Sequence, residues 1–435
     1  MSNPTVITKE NKVLGEKYYY FRHISGLDVY LFPKDLTTSY ALFGTSYGSI
    51  DNCFIPDGKS ELEKVPDGIA HFLEHKMFEC EDGSDLFEKF ALTGASANAY
   101  TSYTHTMYLF SCTENFKKSL EILLDGIKSP YFTKENVAKE QGIIAQEIKM
   151  YEDNVHDALF QGLISSMYSE NAVRVPIAGT VESISKITPE LLYKCYDTFY
   201  RLSNMSLCVC GNIDISDVID VCDRVLKEEK PIKIESVRSY PSEKPEVASS
   251  RFSRKMRLSK PIFAIGVKDV NIPKDPAERL KKRVTMEILA GVLFGECSPL
   301  SVSLYEQGLT RNPISFYVDH NDAFSFFEIG GESDDPEEVF ERFKAHIESV
   351  KSAGISEDDL KRVARALYGE FISIFDSSAN IANEFLPFIM EGYDVFDYID
   401  TFENITADGV NSALHELFNE NFYTLATIYP QDENK

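Results

Sequence analysis

Histidine is scarce in this chain, with 8 in 435 residues. Positive charge is also short: 44 lysines and arginines stand against 69 aspartates and glutamates, a formal net charge of −25. A field of that sign repels nucleic acid and anionic membrane, so neither is expected as a partner, whereas cationic partners would be drawn in. No run of 18 or more apolar residues occurs, and no transmembrane helix is expected. The opening stretch MSNPTVITKENKVLGEKYYYF lacks the apolar segment of a secretory signal, so export is not expected either. The 8 cysteines are scattered and form no CxxC pair. That suits reduced, buried thiols better than a disulfide framework and predicts a cytoplasmic protein.

The composition that is present, 43% apolar and 26% charged, is that of a globular chain long enough for two or three domains. Residues 17–34 alternate around a Ser-Gly-Leu-Asp turn and predict a β-hairpin; strands are expected at 40–51, 96–103, 106–112 and 205–211. A helix should begin near Asp67 as N-cap, and helices should dominate 114–200. Residues 229–250, rich in Pro, Ser, Lys and Glu, predict a linker between a first domain at 1–228 and a second at 251–435. After the linker the order repeats, with strands first, then helices, then a closing strand at 422–429. The repeat also shows in residues. Ile187-Thr188 opens a helix that ends at Phe199-Tyr200, and 218 positions on Ile405-Thr406 opens one that ends at Leu417-Phe418. Thr133-Lys134-Glu135 is matched by Ser356-Glu357-Asp358 at an offset of 223. Two matches at about half the chain length predict a duplicated α+β unit.

The run HFLEH at 71–75 carries the chemistry. On a helix His71 and His75 lie one turn apart, and His71, Glu74 and His75 share one arc, with Ile69, Phe72, Leu73 and Met77 largely on the other side. Two imidazoles at this spacing can bind one Zn²⁺ with Glu74 beside it. With so few histidines, a chance H-x-x-E-H is expected on the order of once in a hundred such chains, which weighs against two idle surface histidines. A catalytic site needs a third protein ligand and an open position for water. The helical stretch KENVAKEQGIIAQEIKMYEDN (134–154) offers Glu140 and Glu147, two turns apart on one face. One could ligate the metal while the other supports it from behind.

HFLEH followed by a glutamate 72 residues after His75 resembles the inverted zinc motif of the insulinase, or pitrilysin, family of metallopeptidases. GIAHFLEHKMFE, GASANAYTSYTHTMYLF and IAGTVESISKITPELLYKCYDTFYRLSNMSLCVCGNID resemble that family in order, and the second half resembles its inactive domain. The length is similar to the short members, such as mitochondrial processing peptidase subunits and their bacterial relatives. The resemblance implies two homologous domains, each a mostly antiparallel sheet with helices packed on it, the second metal-free and covering the active site. It implies His71, His75 and Glu147 as zinc ligands, Glu74 as general base and Glu140 as a supporting carboxylate. It further implies that the strand around 96–101, with Asn98 and Ala99, pairs with an extended peptide substrate. His105, in an alternating strand without a motif partner, is expected to be structural.

The second half departs from the motif. Its matching helix, ILAGVLFGECSP at 288–299, has no histidine, and Glu370 stands alone where Glu147 would fall. The Arg and Tyr that family members place seven residues apart in this domain fall here at Leu304 and Arg311, and neither matches. The expectation is therefore a zinc endopeptidase acting on short or unfolded peptides as a dimer, with a paralogous chain supplying the Arg/Tyr pair. The alternative is a non-catalytic peptide-binding subunit. An S-ribosylhomocysteine lyase also uses H-x-x-E-H, but with a cysteine as third ligand, and none lies between Cys112 and Cys195.

Overall fold

A computed structural model describes residues 4–229, 237–402 and 404–431. Part of the expected linker, residues 230–236, lies outside the described residues. The chain opens with β1 (Ile7–Asn11), β2 (Glu16–Arg22), β3 (Asp28–Pro33), β4 (Ser39–Thr45) and the short pair β5 (Cys53–Phe54) and β6 (Glu63–Lys64). Helices α1 (Ile69–Lys76) and α2 (Leu86–Ala91) precede β7 (Ser96–Thr101) and β8 (Thr106–Cys112). Then come α3 (Phe116–Ile127), α4 (Lys134–Asp153), α5 (Val155–Met167), α6 (Val181–Ile184), α7 (Pro189–Phe199), β9 (Met205–Gly211) and α8 (Ile215–Val225). The second half has β10 (Arg251–Met256), β11 (Ile262–Asp269), α9 (Pro276–Phe294), α10 (Pro299–Glu306), β12 (Ser315–His320) and β13 (Ser325–Glu332). It closes with α11 (Pro336–Ala353), α12 (Glu357–Ser373), α13 (Ser378–Met390), α14 (Asp397–Phe402), α15 (Ala407–Leu417) and β14 (Tyr423–Pro430).

The duplication is visible in the strand order. One sheet runs β1-β2-β3-β9-β4-β8-β7 and the other β10-β14-β11-β13-β12. The five strands from β3 to β7 repeat the five from β10 to β12, pair for pair: parallel first, then antiparallel throughout. The matched sequence segments land on matched elements. Thr188 and Thr406 both cap helices, accepting from Leu191 N–H and Gly409 N–H. The Ser356 hydroxyl accepts from Asp359 N–H as the Thr133 hydroxyl does from Asn136 N–H. This is the expected α+β class with two homologous, mostly antiparallel sheets. The strand β1, at the edge beside the hairpin, and β10 were not expected from the pattern.

The compact units are not contiguous in sequence, unlike the expected division. Unit 1 holds residues 1–148, 176–240 and 371–390; unit 2 holds 149–175, 241–370 and 391–435. Strands β4, β9 and β11 are buried along their whole length, and β14 over most of its own. Such continuous burial requires cover on both faces of a sheet. In unit 1 the late helix α13 supplies it, packing on β4 and β9; in unit 2 the early helix α5 packs on β11 and β14. Glycines permit the approach. A Cβ on Gly44 of β4 would meet Met107 Sδ at 2.1 Å and Met390 Sδ at 3.4 Å, and one on Gly266 of β11 would meet Met167 Sδ at 2.6 Å.

An apolar stretch at Pro276–Glu306, with an 18-residue window of mean hydropathy 1.4, meets the length and composition of a membrane span, which counting apolar runs did not reveal. It is divided between α9 and α10, and Leu289, Leu293 and Phe294 sit in the interior of unit 2. Leu289 and Leu293 occupy the helix expected to match the HFLEH segment.

From Arg238 onward the chain is tied to each unit in turn. Arg238 pairs with fully buried Asp51 at 3.0 Å, and Tyr240 donates to the same carboxylate at 2.8 Å in unit 1. In unit 2, Glu243 accepts from Lys268 Nζ at 2.8 Å and from the N–H groups of Ser169, Glu170 and Asn171. Burial would raise the Glu243 carboxyl, but those donors outweigh it and bring its pKa down to about 2. Burial meanwhile lowers Lys268, which offsets part of the gain. Because the folded pKa of Glu243 is depressed, its stabilisation is fully present above the unfolded value near 4.5 and fades as pH falls towards 2. Glu243→Ala is expected to destabilise unit 2 by about 1–2 kcal/mol after allowance for solvent screening. Urea unfolding at pH 7 should show the deficit, and at pH 3 the gap from wild type should shrink.

Candidate metal centre

Helix α1 is short but heavily packed. Phe72 and Leu73 enter the core of unit 1 beside Phe43, Tyr108 and Phe110, and each such burial contributes about 1.5–3 kcal/mol. Its N-cap is Gly68, not the expected Asp67. Gly68 adopts φ 87°, and a Cβ there would lie 2.4 Å from the Ala178 carbonyl oxygen, so the neighbouring loop excludes a side chain. Asp67 is engaged elsewhere: its carboxylate accepts from Asn52 at 2.7 Å and its carbonyl from Ser183 at 2.7 Å.

With Phe72 and Leu73 anchored, His71, Glu74 and His75 face α4 and the end of β7. Ligand atoms of His71, His75 and Glu147 lie within 4.8 Å of one another. Glu147 Oε1 is 3.6 Å from His71 Nε2, and Glu147 Oε2 is 3.4 Å from His75 Nε2. These separations are long for hydrogen bonds, but close to the roughly 3.3 Å between donors that bind a tetrahedral Zn²⁺ at about 2.0–2.1 Å. The two imidazole rings have centroids 4.6 Å apart. Two nitrogens and one carboxylate oxygen fit a zinc centre in both donor chemistry and spacing.

Glu140 sits two turns before Glu147 on α4. Its Oε1 is 3.1 Å from His75 Nδ1, which fixes the ring so that Nε2 faces Glu147. Burial would raise the Glu140 carboxyl, but the His75 hydrogen bond and the Lys76 charge outweigh it and lower the pKa. Lys76, wholly shielded from solvent, lies 2.6 Å from Glu79 and 3.7 Å from Glu140. His75 shows the reciprocal effect. Burial pulls it down, but Glu140, Glu74 and Glu147 hold its pKa above the ordinary value. Glu74 is pushed up by burial, an effect that His71, Thr101 and His75 counter only in part. Thr101 donates to Glu74 Oε2 at 2.7 Å.

Strand β7 ends the first sheet, and among the described residues it pairs only with β8. Asn98 is exposed on it, and its Oδ1 accepts from the Ala99 N–H at 2.9 Å. His105 lies in the turn after β7, bonded to Thr104, and burial lowers its pKa to about 4, in keeping with a structural residue. In unit 2, Leu304 is buried in α10 and Arg311 is exposed. Sequence reasoning did not single out Lys76, Glu79 or Thr101. The i,i+3 spacing of Lys76 and Glu79 was a usable signal. Thr101 is an ordinary strand residue and offered none.

A two-sheet duplicated fold with a His-His-Glu cluster on α1 and α4 defines a metallopeptidase-like chain. The chain belongs to the insulinase family, peptidase family M16. Residues 55–181 match that family, and residues 186–367 match the domain described as Peptidase M16 inactive domain. An uncharacterized zinc protease, YmfH, from Bacillus subtilis is 40% identical over 97% of this chain and 99% of its own length. A second Bacillus subtilis zinc protease, YmxG, is 26% identical over 86% of this chain and 91% of its own. Among solved structures, a putative M16-like peptidase from Alicyclobacillus acidocaldarius is 35% identical with a TM-score of 0.90, covering 95% of this chain and 98% of that one. Pitrilysin shares the fold at a TM-score of 0.76 and 18% identity; the match takes in 100% of this chain and 47% of pitrilysin. The names of these relatives support peptidase activity and zinc use in broad terms.

Proposed function

We propose that the chain is a zinc endopeptidase for short or unfolded peptides. The observation that carries this reading is the convergence of His71, His75 and Glu147 beside a buried carboxylate, Glu74, that accepts a hydrogen bond from Thr101. His71, His75 and Glu147 would hold Zn²⁺, with Glu140 orienting His75. Zinc, when bound, supplies a Lewis acid for the scissile carbonyl and lowers the pKa of a water towards neutrality. Glu74 takes the proton from that water and passes it to the leaving amine. Its burial suits the first step, because a carboxyl raised from its usual range is a stronger base than a solvated one. The open edge of β7, at Asn98 and Ala99, holds the peptide as an added strand, displacing the Asn98 side chain from the Ala99 N–H.

We further propose a cytoplasmic dimer in which a paralogous chain completes the substrate site. The burial of Leu304 supports this, since that side chain cannot reach a peptide. The same feature favours the second reading, a peptide-binding subunit that needs a catalytic partner. Unfolded peptides should be incubated with the zinc-loaded chain alone and with its paralogue. The expected result is weak cleavage alone and a rise of about tenfold or more with the paralogue. Full activity of the chain alone would remove the partner, and no cleavage in either case would remove the peptidase reading.

A further inference from the structure

We propose that Thr101 is the positioning residue for Glu74: its hydroxyl fixes the carboxylate in the orientation needed to take a proton. This inference rests on the reading of Glu74 as general base. The terminal torsion of a glutamate is broad, so a carboxylate without a partner samples many orientations. Among the described residues, the side-chain hydrogen bond made to Glu74 is the one from Thr101 Oγ1 to Oε2, at 2.7 Å. It engages one oxygen and leaves the other for the reacting water.

The hydroxyl is itself held in place. Thr101 is the last residue of β7 and pairs across the hairpin with Thr106, whose own hydroxyl donates to the Tyr47 carbonyl at 2.8 Å. The two threonine oxygens lie 3.4 Å apart. The Thr106 proton is therefore committed to Tyr47, and the Thr101 proton goes to Glu74. Behind Glu74, Tyr108 and Tyr200 share a hydrogen bond at 2.8 Å, and neither hydroxyl bonds to Glu74. The arrangement has a functional consequence. Thr101 belongs to the strand proposed to pair with the peptide, so one residue ties the register of the bound substrate to the position of the base.

Two substitutions separate the hydroxyl from the side-chain shape. Thr101→Val keeps the β-branched shape and loses the donor; Thr101→Ser keeps the donor and loses the methyl. With zinc bound, Thr101→Val is expected to lower kcat by about 10–100-fold with KM within about twofold, and Thr101→Ser to restore most of the rate. Zinc content should match wild type in both. Crystals of the metal-free variants give a reading that needs neither metal nor turnover: the Glu74 carboxylate should shift or split in Thr101→Val and keep its place in Thr101→Ser. If wild type cleaves nothing while Glu74 moves in Thr101→Val, the peptidase reading falls and the positioning stands. A Glu74 carboxylate unmoved in Thr101→Val, an unchanged kcat, or a Thr101→Ser as slow as Thr101→Val would each overturn the proposal.

Discussion

Glu74→Gln should bind zinc as wild type does and hydrolyse peptide about 10²–10⁴ times more slowly, a loss of roughly 3–5 kcal/mol of transition-state stabilisation. Glutamine has nearly the same shape, and its amide oxygen can still accept from Thr101, so the packing of α1 is preserved. What disappears is the proton acceptor. The residue is 8% exposed, and burial makes its carboxylate a stronger base than a solvated one would be. A second effect accompanies the substitution. The Glu74 charge helps to hold His75 above its usual pKa, so that pKa should fall in the variant. His75 then presents more of its neutral form at a given pH, which offsets the loss of the Glu74 charge beside the metal. Metal analysis of the purified variant and steady-state kinetics on one peptide would check both halves. Turnover at the wild-type rate would remove Glu74 from the mechanism, and loss of zinc would make it a structural residue instead.

The parts of this site that could be read from sequence are those in which spacing along one helix determines spacing in space. His71 and His75 one turn apart, and Glu140 and Glu147 two turns apart, needed only helical geometry to be grouped. Bringing α4 to α1 required more. The sequence allowed Glu140 and Glu147 to exchange roles, and the fold places Glu147 between the two Nε2 atoms and Glu140 behind His75. The N-cap failed for a reason outside the helix: Asp67 has capping chemistry, but the loop at Ala178 leaves room only for the hydrogen of Gly68. The duplicated sheets were legible because matched caps recur at a fixed offset. The exchange of α5 and α13 between the compact units was not, because an amphipathic helix does not name the sheet that it covers. The strand β10 was hidden for a related reason. Its burial pattern is mostly exposed, and it is held by its parallel pairing to β14 rather than by apolar alternation.

Chelation is expected to have the largest effect of all, and to act on unit 1 alone. The three candidate ligands lie within unit 1, on α1 and on the part of α4 that precedes Lys149. A metal that binds only the folded arrangement stabilises it by about 4 kcal/mol when its free concentration is a thousandfold above Kd. Removing it should abolish hydrolysis and speed hydrogen exchange in α1 and α4, while β11 and β14 in unit 2 keep their protection. The pH dependence follows from His75. Its pKa in the metal-free chain is raised by Glu140, Glu74 and Glu147 against the opposing effect of burial. Zinc needs the neutral ring, so a proton competes with it, and the competition strengthens as pH falls through the raised value. Glu140, whose pKa is lowered, stays ionised through the same range and continues to favour the protonated ring. Apparent zinc affinity should therefore fall by up to about tenfold per pH unit below the His75 pKa, and chelator should strip the metal faster at pH 6 than at pH 8. Exchange rates in α1 and α4 unaltered by chelation, or stripping indifferent to pH, would place the metal somewhere other than on His71, His75 and Glu147.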